Sequence, residues 1–444
     1  MGKRTPGPRF ESWGRYPRLQ ADVVPLHWTI DFPLPQRPAG KQLPVGLGRS
    51  YGDVCLLENG TLLDTTGMDR LLGFDPATGV LRCETGTSLK QILDFAVPRG
   101  LFLPVTPGTK YVTVGGAIAN DIHGRNHHAA GTFGRHVLRF ELTRSDGARF
   151  VCSPIENSDW FAATIGGMGL TGLMTWADIR LRPIVSRRID YRGEKFQGLD
   201  EFFARSRAAK SEYTAAWIDC VATGRNFARG ILMQGDHTQI PEPLHRSREP
   251  KLVFPADLPE LALNRYSAAI FNTLHYHRQW GKTKSGRVDY EPFFYPLDAV
   301  RHWNRMYGRK GLLQFQNVLP LESGREGMLD ILKAITKSGL ASFQAAIQFF
   351  GAVPSVGMMS FPRPGVMLAV DFPVRGEVSF DLMERLTRIT LEHGGRMYSA
   401  KDARMTPQQF QAFYPQWQEF ARYVDPGFDS AYWQRVTGRR RLDD

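Results

Sequence analysis

The chain has 444 residues, of which 42% are hydrophobic and 23% charged, as in ordinary globular proteins of about two or three domains. A net charge of +12 favours an anionic partner, which could be nucleic acid, an acidic lipid surface or a phosphorylated substrate. The four cysteines lack zinc-site or disulfide-framework spacing, and no apolar segment reaches membrane-spanning length. We therefore exclude a disulfide scaffold and an integral membrane protein, and expect a reducing, cytoplasmic compartment.

The first chemically informative element is the glycine-rich segment from Gly46 to Asp53, which reads GLGRSYGD. It lacks the GK[ST] ending of a P-loop, and the residues after Asp53 read as a turn and a strand rather than the helix of a Rossmann motif. Common NAD and ATP sites are therefore not predicted. Alone, such a segment is more often a plain turn.

A helix is predicted next, with a capping box of Ser88 and Gln91, and then a second glycine-rich segment from Thr113 to His128. Only residues without a Cβ let the backbone approach a pyrophosphate closely, so the two segments together favour a dinucleotide site. The second segment holds His123, His127 and His128. They lack helix context and carboxylate partners, so no metal site is predicted.

Alternating strands and a hairpin turn at Asp146 and Gly147 complete an α+β domain predicted for residues 1–185. Residues 186–310 read as irregular. Within them, the basic stretch from Gly281 to Pro292 fits either a mobile lid or a merely solvated loop.

Regular structure is predicted again from Leu312 in the order βαββαβ, which indicates a ferredoxin-like substrate domain over residues 186–395. Its strands are predicted at 312–319, 343–350, 366–372 and 396–400, and its helices at 326–337 and 380–393. The remaining segment, 396–444, carries aromatic residues at helical spacing that we expect to pack against the first domain.

In this order the motifs resemble the FAD enzymes of the vanillyl-alcohol oxidase (PCMH-type) fold. Within that fold they are most similar to the family of oxidase components of decaprenylphosphoryl-β-D-ribose 2′-epimerase. The resemblance implies a two-subdomain FAD-binding domain and an antiparallel-sheet α+β substrate domain. The motifs that carry it are Gly48–Asp53, Pro107–Thr109, Val112–Ile118, Asp121–Gly124, Gly169–Gly172 and Tyr398–Asp402.

The resemblance also implies a reaction. A polyprenyl-phosphoryl-β-D-ribofuranose would be oxidised at its 2′-hydroxyl by hydride transfer to flavin N5, the first half of epimerisation to the arabinose form. An NAD(P)H-dependent short-chain reductase would be the partner, with peripheral association at the inner face of the plasma membrane and no nucleic acid. A soluble alditol or aldonolactone oxidase is the alternative, and the charge alone motivates a nucleic-acid-binding protein.

Two residues are implied as catalytic. Lys401 would stabilise negative charge on the reduced flavin, although it could instead form a salt bridge with Asp402. His123 would accept the hydroxyl proton, or would have a structural role. The residues implied to contact FAD are Gly46, Gly48, Arg49, Ser50, Tyr51, Gly52, Asp53, Gly108, Thr113, Val114, Gly115, Gly116, Asn120, Asp121, His123, Met174, Tyr398 and Lys401.

Arg49 stands where several relatives of the fold carry a histidine that bonds covalently to the flavin, so non-covalent FAD is implied. The substrate pocket is implied to contain Tyr51, Arg125, Trp217, Tyr295, Gln314, Gln316, Gln348, Phe350 and Ala369. Three of these depart from close relatives, since Arg125 and Gln348 stand where they carry lysines and Ala369 stands where they often carry cysteine. Replacing a lysine by the neutral Gln348 removes a positive charge from the pocket.

Overall fold

A computed structural model describes residues 10–33, 40–246, 249–340 and 342–440. The predicted start of the first domain at residue 1 and the predicted end of the last segment at residue 444 therefore lie outside the described residues. The first part contains two larger sheets and a two-stranded one made of β6 and β10. Strands β1, β3 and β2 form a parallel sheet in that order, and β4, β5, β9, β7 and β8 form an antiparallel one. The elements are β1 (Asp22–Pro25), β2 (Gln42–Val45), β3 (Thr61–Asp64), β4 (Leu71–Asp75), β5 (Val80–Glu84), α1 (Leu89–Ala96), β6 (Leu101–Phe102), α2 (Val114–Ala119), α3 (His127–Ala130), β7 (Val137–Thr143), β8 (Arg149–Cys152), α4 (Ser158–Thr164), β9 (Leu173–Arg180) and β10 (Arg182–Pro183).

Local sequence signals explain the elements nearest the site. Helix α1 begins with the predicted capping box, in which the Ser88 hydroxyl accepts from the Gln91 amide at 3.2 Å and the Gln91 side chain accepts from the Ser88 amide at 2.8 Å. The β7–β8 hairpin turns where Asp146 and Gly147 predicted it. Both predictions are confirmed.

The second part is built on one eight-stranded sheet in the order β15-β11-β13-β12-β18-β19-β17-β20. A short pair of strands, β14 and β16, lies beside it. The elements are β11 (Arg188–Phe196), α5 (Gly198–Ala208), β12 (Tyr213–Ile218), β13 (Gly230–His237), β14 (Leu252–Val253), α6 (Arg265–His277), β15 (Thr283–Asp289), α7 (Tyr290–Phe294), β16 (Val300–Arg301), β17 (Leu312–Leu319), α8 (Leu321–Ser338), β18 (Ala345–Phe350), β19 (Gly365–Pro373), α9 (Glu377–Glu392) and β20 (Arg396–Met397).

This sheet contains the predicted βαββαβ unit, made of β17, α8, β18, β19, α9 and β20. It also contains a second unit of the same order, made of β11, α5, β12, β13, α6 and β15, within residues predicted to be irregular. The two units join where Trp217 of β12 pairs with Ala346 of β18. The prediction of an irregular 186–310 region was therefore wrong, and residues 283–289 form an edge strand rather than a loop.

Several predicted bounds in the unit from β17 to β20 need correction. Helix α8 begins at Leu321 rather than at Glu326, and the Ser323 hydroxyl does not cap it but donates to the carbonyl of His393 at 2.7 Å. The closing strand ends at Met397, because a 3₁₀ turn over Ser399–Lys401 follows it.

The two faces of the large sheet differ. Alternate residues such as Phe315 and Leu368 are fully buried in the core with α8 and α9, whereas their neighbours Gln316 and Ala369 face a cavity. The C-terminal helices α10 (Pro407–Phe413), α11 (Trp417–Ala421) and α12 (Ala431–Val436) return to the first part, where the Ala431 amide donates to the Leu56 carbonyl at 2.8 Å. None of the helices in the described ranges is both long and apolar enough to cross a membrane.

Candidate active site

A cavity of about 1000 Å³ lies between the two glycine-rich segments and the polar face of the large sheet. Most of the predicted site residues line it, although they come from distant parts of the chain. They are Gly46, Gly48, Arg49, Ser50, Tyr51, Gly108, Thr113, Gly115, Gly116, Asn120, His123, Arg125, Met174, Trp217, Gln314, Gln316, Gln348, Ala369, Tyr398 and Lys401.

Two predicted substrate residues lie behind the cavity wall. Tyr295 is almost fully buried, and its hydroxyl is 2.6 Å from that of Thr106. Phe350 packs behind the histidines, with its ring 4.9 Å from that of His123 and 4.4 Å from that of His127. Tyr295 and Phe350 were predicted to line the pocket. In the structure they instead lie behind the residues that line it.

Four predicted cofactor residues are also outside the lining, because packing or hydrogen bonds turn them away from it. Val114 belongs to the apolar core. Asp121 accepts from the Gly134 amide at 2.9 Å and from the Ser360 hydroxyl. Gly52 and Asp53 pack against the C-terminal part of the chain.

Close packing explains the glycines. A Cβ on Gly46 would lie 2.3 Å from the Thr113 hydroxyl oxygen, and one on Gly52 would lie 1.7 Å from the Asp402 carbonyl oxygen. Real Cβ atoms do not approach other atoms so closely, because sterics forbid it. Glycine therefore lets the first segment contact both the second segment and the turn that carries Lys401. Gly108 has open space at its Cβ position and leaves its backbone accessible to a ligand in the cavity.

Arg435 of α12 fixes this arrangement. Its Nε and Nη2 atoms donate to the two carboxylate oxygens of Asp53 at 2.9 and 2.8 Å, and Nη2 also donates to Asp402 at 2.9 Å. All three side chains are buried. Because Asp53 ends the first glycine segment and Asp402 follows Lys401, one guanidinium joins the two motifs. The sequence analysis did not identify Arg435, which has no local motif.

Lys401 lies above the Tyr51 ring, with 3.9 Å between Nζ and the ring centroid. Arg435 occupies the Asp402 carboxylate, and no salt bridge between Lys401 and Asp402 forms. Burial lowers the pKa of Lys401 to about 8, although attraction to Asp371 opposes the shift. Burial also raises the pKa of Asp371 to about 7, against a hydrogen bond donated by Gln314 and the attraction of Lys401. Asp371 was quoted in the sequence only as part of a family motif, and its link to Lys401 becomes visible in the fold.

His123 is held by polar and aromatic neighbours. Its Nε2 lies 2.9 Å from the Gln316 side-chain nitrogen, and its ring contacts those of Phe361 and Tyr398. Burial, followed by repulsion from His127 and Lys401, lowers the pKa of His123 to about 3. The imidazole is therefore neutral near pH 7, and its Nδ1 has no hydrogen-bond partner among the described residues.

Arg49 and Arg125 supply positive charge to different stretches of the wall. Arg49 stacks on the Trp13 ring at 3.9 Å, and Arg125 lies 5.0 Å from the Phe293 ring centroid. Burial lowers the pKa of both, that of Arg125 to about 10. Within the described ranges, Arg49 Nε and Arg125 Nη1 have no hydrogen-bond acceptor. A buried donor without an acceptor is costly, so both positions suit an anionic ligand.

Three further polar residues of the wall are already engaged. Gln348, which replaces a lysine of relatives, donates to the Gly124 carbonyl at 2.9 Å, and Trp217 donates to the Phe343 carbonyl at 3.2 Å. The Tyr398 hydroxyl donates to the Asn120 carbonyl at 2.8 Å. Arg125 is therefore the cation available at the position where relatives carry one of their two lysines.

The donor set and the glycine-lined wall fit a dinucleotide that carries a flavin, and comparison with known proteins agrees. Residues 39–153 match the FAD binding domain family. The chain is 36% identical over 396 residues to decaprenylphosphoryl-β-D-ribose oxidase of Mycolicibacterium smegmatis, covering 86% of this chain and 85% of that protein. It is 30% identical over 361 residues to an uncharacterized protein of Streptomyces coelicolor, covering 76% and 96%. Human Δ(24)-sterol reductase is 30% identical over 173 residues, covering 39% and 33%. The chain therefore belongs to the decaprenylphosphoryl-β-D-ribose oxidase family of FAD-dependent oxidoreductases.

Proposed function

We propose that this protein oxidises the 2′-hydroxyl of a polyprenyl-phosphoryl-β-D-ribofuranose to the 2′-ketone, with FAD bound non-covalently. The observation that carries the proposal is the convergence of Lys401, His123 and Gln316 on one wall of the cavity that the glycine-rich segments also line. FAD, when bound, supplies the hydride acceptor at N5. The residues of the chain then have to hold the sugar, place a positive charge beside the negative charge that develops on reduction, and receive the hydroxyl proton.

Each of these tasks has a residue. Lys401 offers a buried ammonium group for the charge that develops on reduction. His123 is neutral, which is the form that can accept a proton. The Gln316 amide nitrogen donates to Nε2, so the ring proton is on Nδ1 and Nε2 is the accepting atom. The sugar hydroxyl would therefore take the place of Gln316 at Nε2. Arg125 has a free donor for the substrate phosphate.

Arg49 supports the proposed non-covalent attachment, because its guanidinium does not form the bond to flavin that histidine forms at this position in several relatives. The 2′-ketone requires a separate reductase, and we propose an NAD(P)H-dependent short-chain enzyme. A lipid-borne substrate and a basic chain are compatible with a cytoplasmic protein held peripherally at the inner face of the plasma membrane.

A second candidate function is oxidation of a soluble alditol or aldonolactone. It is favoured by Gln348, which is neutral and already bound to Gly124 where relatives have a lysine for the pocket. This activity would use the same FAD site and would not require a prenyl phosphate.

The two candidates are separated by anaerobic mixing of the flavin-loaded protein with substrate, followed through the long-wavelength flavin absorbance. We expect polyprenyl-phosphoribose in detergent to bleach the flavin, and ribose, alditols and aldonolactones to leave it yellow. Arg125→Gln should weaken binding of the phosphosugar without loss of flavin. Bleaching by a soluble alditol but not by the lipid phosphosugar would refute the proposal.

A further inference from the structure

Helix α6 presents apolar side chains to solvent. Tyr266, Ile270 and Leu274 follow one another at four-residue spacing and are 73%, 63% and 67% exposed. Leu261 before the helix and Trp280 after it are more exposed still, at 83% and 91%. We name these five residues the α6 surface. Large exposed apolar side chains gathered on one helix and its flanks mark an interaction site.

The chain segment that carries this surface has charge of one sign. The chain contains no Asp or Glu from Leu261 to Val288, and it contains five basic residues there. Arg287 pairs with Asp190 and Glu242, whereas the other four have no carboxylate within 4.0 Å in the part of the chain that the structure describes. Those four are Arg265, Arg278, Lys282 and Lys284. A helix with exposed apolar residues and unpaired cations around it fits an anionic lipid surface.

The α6 surface is continuous with the cavity. Ser267, Ala268, Phe271 and His275 of the same helix line the cavity. Phe271 is also 49% exposed, so it belongs to the wall and to the outer surface at once. The His275 ring is 4.6 Å from that of Trp217, deeper in the cavity. An apolar chain could thus enter the cavity from the α6 surface along Ala268 and Phe271.

We propose that the α6 surface docks on an anionic lipid bilayer, with Ile270, Leu274 and Trp280 entering the interface and the four unpaired cations contacting lipid phosphates. A protein partner is the less suitable occupant, because lysine is depleted in the buried centres of protein interfaces. This proposal rests on the proposed function only in one respect, namely that docking on a bilayer would serve the uptake of a lipid-borne substrate. Binding to the bilayer itself requires no substrate.

The test is sedimentation of the flavin-loaded full chain with vesicles that contain no substrate. Vesicles of phosphatidylcholine with phosphatidylglycerol are compared with vesicles of phosphatidylcholine alone. The variant Ile270→Glu/Leu274→Glu is compared with Ile155→Glu/Val378→Glu, which changes exposed apolar residues elsewhere. Flavin content and circular dichroism establish that both variants fold.

We expect the wild type and the control variant to bind the anionic vesicles and to be released by salt. The α6 variant should partition roughly 100-fold less, since it loses two apolar contacts and gains two negative charges. Equal binding of the α6 variant and the wild type would overturn the proposal. So would equal binding to neutral vesicles, or failure of the wild type to bind any vesicle, as expected if a protein occupies this surface.

The flavin-bleaching assay in detergent separates the two proposals. Vesicle binding that depends on α6, without bleaching by polyprenyl-phosphoribose, would refute the substrate and leave the α6 surface intact. Bleaching in detergent by a protein that ignores anionic vesicles would refute the α6 surface alone.

Discussion

Replacement of Arg435 by methionine tests whether one buried guanidinium holds the cofactor site together. The substitution keeps much of the side-chain volume but removes the guanidinium donors to Asp53 and Asp402. Asp53 and Asp402 would remain buried, at 1% and 2% exposure, with no cation to balance them. The first glycine segment and the Lys401 turn would then be pushed apart by like charges.

The expected cost follows from this burial. Removing one partner of a buried ion pair destabilises a protein by about 3–5 kcal/mol, because a charge is left in a medium of low polarity. Arg325→Met is the matched control, since Arg325 also makes a two-pronged pair, with Asp200, but both side chains are at least half exposed. Its cost should be about 0–1 kcal/mol.

Urea unfolding at pH 7 and flavin fluorescence measure the two consequences. Arg435→Met should lower the free energy of unfolding by about 3–5 kcal/mol and release flavin at concentrations where the wild type retains it. Adding Asp53→Asn and Asp402→Asn should restore about half of the lost stability, because no buried charge then remains unpaired. A loss within about 1 kcal/mol for Arg435→Met, or no recovery in the triple variant, would refute the reasoning.

The remaining predictions concern charge, packing and attachment of the flavin. The charged form of Lys401 predominates below its pKa of about 8 and is lost above it, so substrate-driven flavin reduction should slow as the pH rises through that value. Lys401→Met should remove this pH dependence and slow reduction by roughly 10²–10³-fold in stopped-flow measurements; an unchanged profile would contradict the assignment. Gly52→Ala, whose Cβ would meet the Asp402 carbonyl, should yield protein with little flavin, whereas Gly73→Ala, with open space, should retain it, as absorbance ratios would show. Acid precipitation should release all flavin into the supernatant, and a yellow pellet would disprove non-covalent attachment.

Local signals in the sequence predicted the elements that depend on neighbours in the chain. The capping box of Ser88 and Gln91 and the αL glycine after α8, Gly339, act within a few residues and appear where expected. Strand β17 was predicted with its observed bounds, because its residues are buried on both faces of a central strand. Four strands of the large sheet were missed. One of them, β15, is an exposed edge strand of polar residues without an apolar alternation.

The site required the fold or a family resemblance, because its interactions join residues far apart in the chain. Arg435 and Asp53 are 382 positions apart, and neither has a neighbour in sequence that reveals the pair. Asp371 likewise resembles any polar residue in a strand until the sheet places it near Lys401. The family resemblance identified most residues of the cavity wall. It also assigned Tyr295 and Phe350 to the substrate pocket, although both are buried behind that wall.

The exposed helix α6 can be understood from the duplication in the large sheet. In the βαββαβ order α6 corresponds to α9, which buries Leu382 and Leu386 in the core on the sheet face opposite the cavity. Helix α6 instead lies on the cavity side, where His275 contacts Trp217. There, one row of its side chains, which includes Ala268 and Phe271, lines the cavity. No described element covers the neighbouring row, which includes Ile270 and Leu274. The position of α6 on the cavity side of the sheet thus completes the cavity wall and also leaves the α6 surface exposed. A lipid contact at the cavity entrance therefore requires no additional domain.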